Sequence, residues 1–359
     1  MKNILILICY FYALSLNAQR SELKFHELAA PDTGRLWIQP AKNKPAMAIW
    51  GHAKGISVAI PQQDIMPRGL IRIFTPYLDH MPHVVTNFIA MEPIPAGQEH
   101  RGLSELEMSS MDPGIRGKRF WSSNDSGYST NNNEIYPARG IIEEKNGKQT
   151  LTVYIFCEPF DNGAKVYVRL RFFEERPYEF ELTSYASEES VSLDSFILTA
   201  TMANKARLRT LYLKDYKKVS SEIWPDYRGD AFTPHAFFSI KDMIHGPEGH
   251  AYFIAAPNEK DPSKAIYAAD THQHWKYTGK KATQYWISTT PDEKLQGIVN
   301  GRYTYWASQS PIPGGISFEN FEMKQPFKNG NRYIFGIIPD SPEEFKKQAL
   351  KGRYHNYNK

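Results

Sequence analysis

An all-β fold, mostly antiparallel, is what this sequence predicts, and three observations carry the prediction. Between Arg139 and Ala186 apolar and polar residues alternate with a period of two, broken only at turn-forming clusters. Lys145-Asn146-Gly147-Lys148 is a two-residue hairpin signal, because such a turn needs φ > 0 at both central positions, which Asn and Gly tolerate. Helix signals are scarce. A large β-sandwich or supersandwich with one short C-terminal helix follows.

The central meander sets inside and outside. Leu151, Val153, Ile155 and Cys157 share one face of a strand, with Thr152, Tyr154 and Phe156 on the other. After Asp161-Asn162-Gly163 the next strand buries Val166, Val168, Leu170 and Phe172, leaving Lys165, Tyr167, Arg169 and Arg171 outward. A turn at Glu175-Arg176-Pro177 feeds a third strand, Tyr178 to Tyr185. One face is dry and one is wet.

Upstream, Met1-Lys2-Asn3, an apolar run from Ile4 to Leu16 and then Asn17-Ala18-Gln19 have the plan of a secretory signal, with cleavage expected after Ala18. The run is too short to span a bilayer, which takes about 20 apolar residues. Residues 19–359 are expected to form a single domain, secreted or periplasmic. Of 359 residues 41% are hydrophobic and 23% charged, enough for a sizeable core. The formal net charge of +4 falls to +3 once Lys2 is gone, too mild to imply nucleic acid. Cys157 is then the one remaining thiol, so no intrachain disulfide can form, and it reads as a small buried side chain.

Strands are also expected at Arg35 to Gln39, at Ala46 to Ile60 with tight bends breaking it at Gly51 and Gly55, at Leu70 to Tyr77 and at His83 to Ile94. Residues 97–134 are rich in Gly, Ser, Asn and Arg without periodicity, the pattern of a functional loop. Beyond the meander, strands are expected over Val191 to Ala203, Ala206 to Leu213, Phe237 to Ile240, His250 to Ala255, Trp275 to Ile287, Gly301 to Ala307, Ile316 to Met323 and Arg332 to Ile338. A second loop runs from Pro225 to Pro234. Ser341-Pro342-Glu343-Glu344 supplies an N-cap, a Pro at the first helical position and a Glu three residues after the cap.

Ser317-Phe318-Glu319-Asn320 followed by Pro326-Phe327-Lys328-Asn329-Gly330-Asn331-Arg332-Tyr333-Ile334-Phe335 resembles the end of a galactose-mutarotase-like β-supersandwich. The resemblance implies carbohydrate as substrate and puts Glu319 where the epimerases keep their base. Those enzymes also carry an Asn-His pair on a middle strand, and Leu198-Thr199-Ala200-Thr201-Met202 has no His. Sugar-ring epimerisation is therefore doubtful, while polysaccharide lyases and glycosidases share the fold.

Candidate chemistry sits in the loops. Arg116, Arg119 and Trp121 supply cations and an aromatic face for a glycan, near Glu105 and Glu107. Trp224 to Asp230, with His235 beyond it, holds Tyr227, Arg228 and His235. These are the acid, charge neutraliser and base that elimination from a uronate needs. Arg302, Tyr303 and Tyr305 could line a glycan platform. Asp270, His272 and His274 alternate in a way compatible with a divalent metal, but no fourth ligand follows in sequence, so surface histidines are the preferred account and no cofactor is firmly implied. No dinucleotide fingerprint, phosphate loop or nucleophile elbow is present. The expected partner is a poly- or oligosaccharide, with no nucleic acid and no membrane span. The leading expectation is an exported enzyme degrading an acidic polysaccharide, as a lyase or a hydrolase; the other is a non-catalytic glycan-binding sandwich.

Overall fold

The computed structural model describes residues 35–40, 47–62, 66–75, 85–128, 136–201, 208–258, 282–304 and 311–353. The signal-sequence expectation and the Asp270, His272, His274 group lie outside the described residues, as do Tyr305 and Trp306. Two antiparallel sheets dominate. One has nine strands, in the spatial order β1 (Trp37–Ile38), β2 (Met47–His52), β3 (Ser57–Pro61), β4 (Ile71–Phe74), β5 (Val85–Pro95), β11 (Leu193–Thr201), β19 (Ser317–Pro326), β18 (Gln296–Arg302) and β14 (Ala236–Ser239). The other runs β13 (Lys217–Val219), β12 (Leu208–Tyr212), β16 (Ala251–Pro257), β17 (Thr283–Ser288), β20 (Asn331–Ile338), β10 (Glu179–Ala186), β9 (Val166–Phe173), β8 (Lys148–Cys157) and β6 (Phe120–Ser123). β7 (Ile141–Lys145) adds to β8 and β15 (Ile244–His245) to β16, which makes eleven strands.

The hairpin chemistry is seen directly. Asn146 and Gly147 have φ of 55° and 72°, and Lys145 pairs with Lys148 across them. The meander then runs β8, β9, β10 in register, with Val153 opposite Leu170 and Leu170 opposite Leu182. All the core-face residues expected there, including Cys157, are buried in the main cluster. Burial pushes the Cys157 thiol well above its ordinary pKa, so it is an inert packing group. On the alternate face Arg169 and Arg171 both reach Glu181, at 3.4 and 3.5 Å.

The sheets pack face to face through one large cluster. Phe253 of β16 stacks on Phe321 of β19 at 4.8 Å, and the Trp286 Nε1–H donates to the Phe321 carbonyl. Buried polar contacts also cross the interface, among them Asn87 to Gln284, Ser288 to Gln325 and Ser317 Oγ to the Leu208 carbonyl. β19 and β20 are consecutive in sequence but belong to different sheets, each at an interior position.

The outer faces differ. Helix α2 (Pro342–Lys351) begins where expected, with Ser341 Oγ accepting from the Glu344 N–H and Gly352 closing it in the left-handed region. It lays Phe345 over Tyr285 at 4.2 Å, covering one end of the eleven-stranded sheet. The outer face of the nine-stranded sheet carries an apolar patch toward β2 to β5, including Phe74, Phe88 and Ala90. Beyond it, toward β14, that face turns polar. The segment Ala46 to Ile60 forms two strands joined by a turn at residues 53–55, which includes Gly55, one of the two expected breaks, whereas Gly51 lies within β2; Phe120–Ser123, expected as loop, is strand β6. Among the described residues no helix is long and apolar enough to cross a membrane.

Candidate functional site

Strand register builds the site. On β5, β11 and β19, residues Met91, Leu198 and Phe321 face the sheet–sheet core, so Ala90, Glu92, Thr199 and Glu322 face outward. The outward rows can be followed across strands. One runs Ala90, Thr199, Glu322, Ile298, Phe237; the next holds Asn320 and Asn300, with His235 just before β14. The loop after β5 returns over these rows and delivers Arg101.

Arg101 ties the groups together. Its Nη1 lies 2.8 Å from Glu92 Oε2 and 3.0 Å from Glu322 Oε2, and both carboxylates are buried. Its Nη2 lies 3.2 Å from His235 Nε2. From the other side Asn300 Nδ2 reaches the same Nε2 at 3.3 Å. Asn300 Oδ1 accepts from the Asn320 N–H, which fixes the amide so that its NH₂ faces the ring. Two donors therefore converge on Nε2, which must present its lone pair. The neutral imidazole carries its proton on Nδ1. Burial lowers the His235 pKa, Glu322 opposes that and Arg101 adds to it, so the ring is uncharged at neutral pH.

The two carboxylates are not equivalent. Burial and the neighbouring Glu322 push the Glu92 pKa up to about 8, against the pull of Arg101. Glu92 holds a proton at neutral pH, beside an Arg101–Glu322 ion pair. Glu105, on the same loop as Arg101, is also raised by burial, with Arg116 and Arg101 opposing.

The sequence candidates divide. His235 is at the centre of this cluster. Arg116 faces Glu105 from the exposed edge and donates to the Leu106 carbonyl. Tyr227 is turned into its own loop, its hydroxyl donating to the Ala231 and Phe232 carbonyls, and Arg228 donates to the Pro225 and Tyr227 carbonyls with its guanidinium 5.9 Å from the Tyr303 ring. Arg302 donates to the Asp230 carbonyl and lies 5.1 Å from the Phe232 ring. Glu319 is buried at a bulge, the extra residue between Phe318, which pairs with Gly301, and Asn320, which pairs with Asn300. Glu322, three residues further on, is the carboxylate of this strand that meets Arg101.

Trp121 and Arg119 are elsewhere. Trp121 stacks on Phe156 across the β6–β8 pair, on the outer face of the eleven-stranded sheet, and Arg119 lies 3.9 Å from Asp112. Glu92, Asn300 and Glu322 were not singled out from sequence. Glu92 had a readable signal, a carboxylate directly after the apolar run Phe88 to Met91 of its strand, where a charge is costly unless it has a task; Glu322, on a strand that also carries Glu319, Asn320, Lys324 and Gln325, did not stand out. Asn300 had none. Among the described residues no group of three or more His, Cys, Asp or Glu is arranged to hold a metal.

No family model and no curated protein matches this chain. Among solved structures it is similar to one described as the crystal structure analysis of HI1317, with a TM-score of 0.30 and 10% identity, over 84% of this chain and 98% of that one.

Proposed function

We propose that this protein is an exported carbohydrate-active enzyme that cleaves an acidic, uronate-containing polysaccharide by β-elimination on the outer face of the nine-stranded sheet. The observation that carries the reading is the convergence of Arg101 Nη2 and Asn300 Nδ2 on the unprotonated Nε2 of His235. A uronate carboxylate arriving there takes over both donors, which neutralises it and lowers the cost of removing the adjacent proton. The same exchange frees the His235 lone pair to accept that proton. As the C–O bond breaks, the leaving oxygen takes the proton from Glu92, and a double bond remains in the sugar ring. Glu322 keeps Arg101 in place. The leader-like start of the chain supports export.

A second reading is favoured by one feature. Glu92 and Glu322 share a single arginine nitrogen, and burial together with Glu322 pushes the Glu92 pKa up to about 8, so this is a close carboxylate pair with one raised member, as glycoside hydrolysis uses. Incubating the protein with uronate-containing and neutral polysaccharides separates the cases. Ultraviolet absorbance from an unsaturated uronate marks elimination, reducing ends without it mark hydrolysis, and neither leaves a binding protein. Under the elimination reading His235→Ala lowers turnover by about 10² or more, with thermal unfolding little changed; wild-type turnover in that variant removes His235 from the mechanism.

A further inference from the structure

Phe237 is an outlier in exposure. It is 61% exposed, on a strand whose next residue, Phe238, is buried against Phe253. Alternation turns the Phe237 ring onto the same outer face as Glu322, with Ile298 between them in one row. Its ring centroid is 6.3 Å from that of His235. Phe232, also exposed, stands on the other side of His235 in sequence, with the Arg302 guanidinium over its ring. A lone exposed phenylalanine needs no explanation, but this one adjoins a polar cluster and shares a row with its buried carboxylate.

Resting on the carbohydrate reading above, we propose that Phe237 is the stacking platform for the sugar residue next to the one that meets His235, so that the glycan lies across the strands from β14 toward β19. The axial hydrogens of a pyranose give it an apolar face, and an exposed ring is the surface that face requires. Two strand spacings separate Phe237 from Glu322, about 10 Å, which is the length of a disaccharide. The buried Ile298 forms the floor between them. Specificity at this position is therefore for a sugar with an unobstructed ring face. The charged group is read one residue further on, at Arg101 and Asn300.

The test uses hexasaccharides of polygalacturonate, alginate and hyaluronan and a neutral β-glucan hexasaccharide. Binding is measured by calorimetry on a His235→Ala chain, so that bound glycan is not consumed, and initial rates are measured on the active chain. Phe237→Ala should weaken binding of the accepted hexasaccharide about tenfold, the scale of one lost aromatic contact. On the active chain it should raise KM more than it lowers kcat. Phe237→Trp should restore both, and thermal unfolding should not move. Equal binding by the Phe237→Ala and parent chains refutes the platform and leaves the carbohydrate reading standing. If no hexasaccharide is bound or cleaved by the parent, the carbohydrate reading fails and this inference falls with it.

Discussion

Replacing Glu92 by Gln tests the electrostatic heart of the site without touching its shape. Gln is isosteric and cannot ionise, and like a protonated carboxyl it presents a donor beside an acceptor, with one further N–H to place. In the folded chain burial and Glu322 raise the Glu92 pKa from 4.5 to about 8. Between those values the unfolded chain has released its proton and the folded chain has kept it, so stability falls as pH rises. The contribution is whole below the ordinary Glu range and lost by the time pH has passed about 8. The slope cannot exceed about 1.4 kcal/mol per pH unit for one proton, and repulsion from Glu322 spreads it over a wider range. Three histidines, His52, His235 and His250, have lowered pKa values and tilt the profile the other way on the acid side. Comparing variant with parent cancels them. Urea unfolding from about pH 5 to about pH 9 should show Glu92→Gln matching the parent at the acid end and exceeding it increasingly toward the alkaline end. Parallel curves would mean that Glu92 is already ionised, and its role as proton donor would go with them.

Under the proposed elimination, the pH dependence of turnover should be bell-shaped, rising as His235 loses its proton below the ordinary histidine value and falling as Glu92 loses its own near 8. In Glu92→Gln the alkaline limb should vanish along with most of the rate; an unchanged alkaline limb would assign it to another group. Leu170→Ala removes a fully buried side chain packed between Val153 and Leu182, and should cost about 2 to 5 kcal/mol in equilibrium unfolding. Arg169→Ala, on the wet face of the same strand, should cost much less, and the reverse ranking would overturn the strand's register.

The meander was legible because each of its signals is local. Asn146-Gly147 decides a turn, alternation from Leu151 to Cys157 decides a face, and Ser341-Pro342 decides a helix start, all within a few residues. The outer face of the nine-stranded sheet was not, because its neighbours are remote in sequence. That Thr199 should lie between Ala90 and Glu322 depends on which strands pair, and nothing in the spacing of the three positions says so. Loop composition drew attention to Tyr227 and Arg228, whose polar groups satisfy their own backbone instead. It also pointed to His235, for its residue type, while its partners Arg101 and Asn300 became visible only with the sheet assembled. Trp121 looked like part of a loop because a four-residue strand has too few positions to show a period.

The interior positions of β19 and β20 bear on how the chain can be made. Before Ser317 emerges during synthesis, β11 and β18 have no strand to join them, nor have β10 and β17, so each sheet exists only as two halves with bare edges. Both gaps are filled by the single passage Ser317–Ile338. Neither sheet is continuous until that passage is in place, and its closure depends on long-range pairing. A nascent chain stopped short of Ser317 would not be a smaller stable protein. It would be a pair of unfinished sheets with edges ready to recruit other chains.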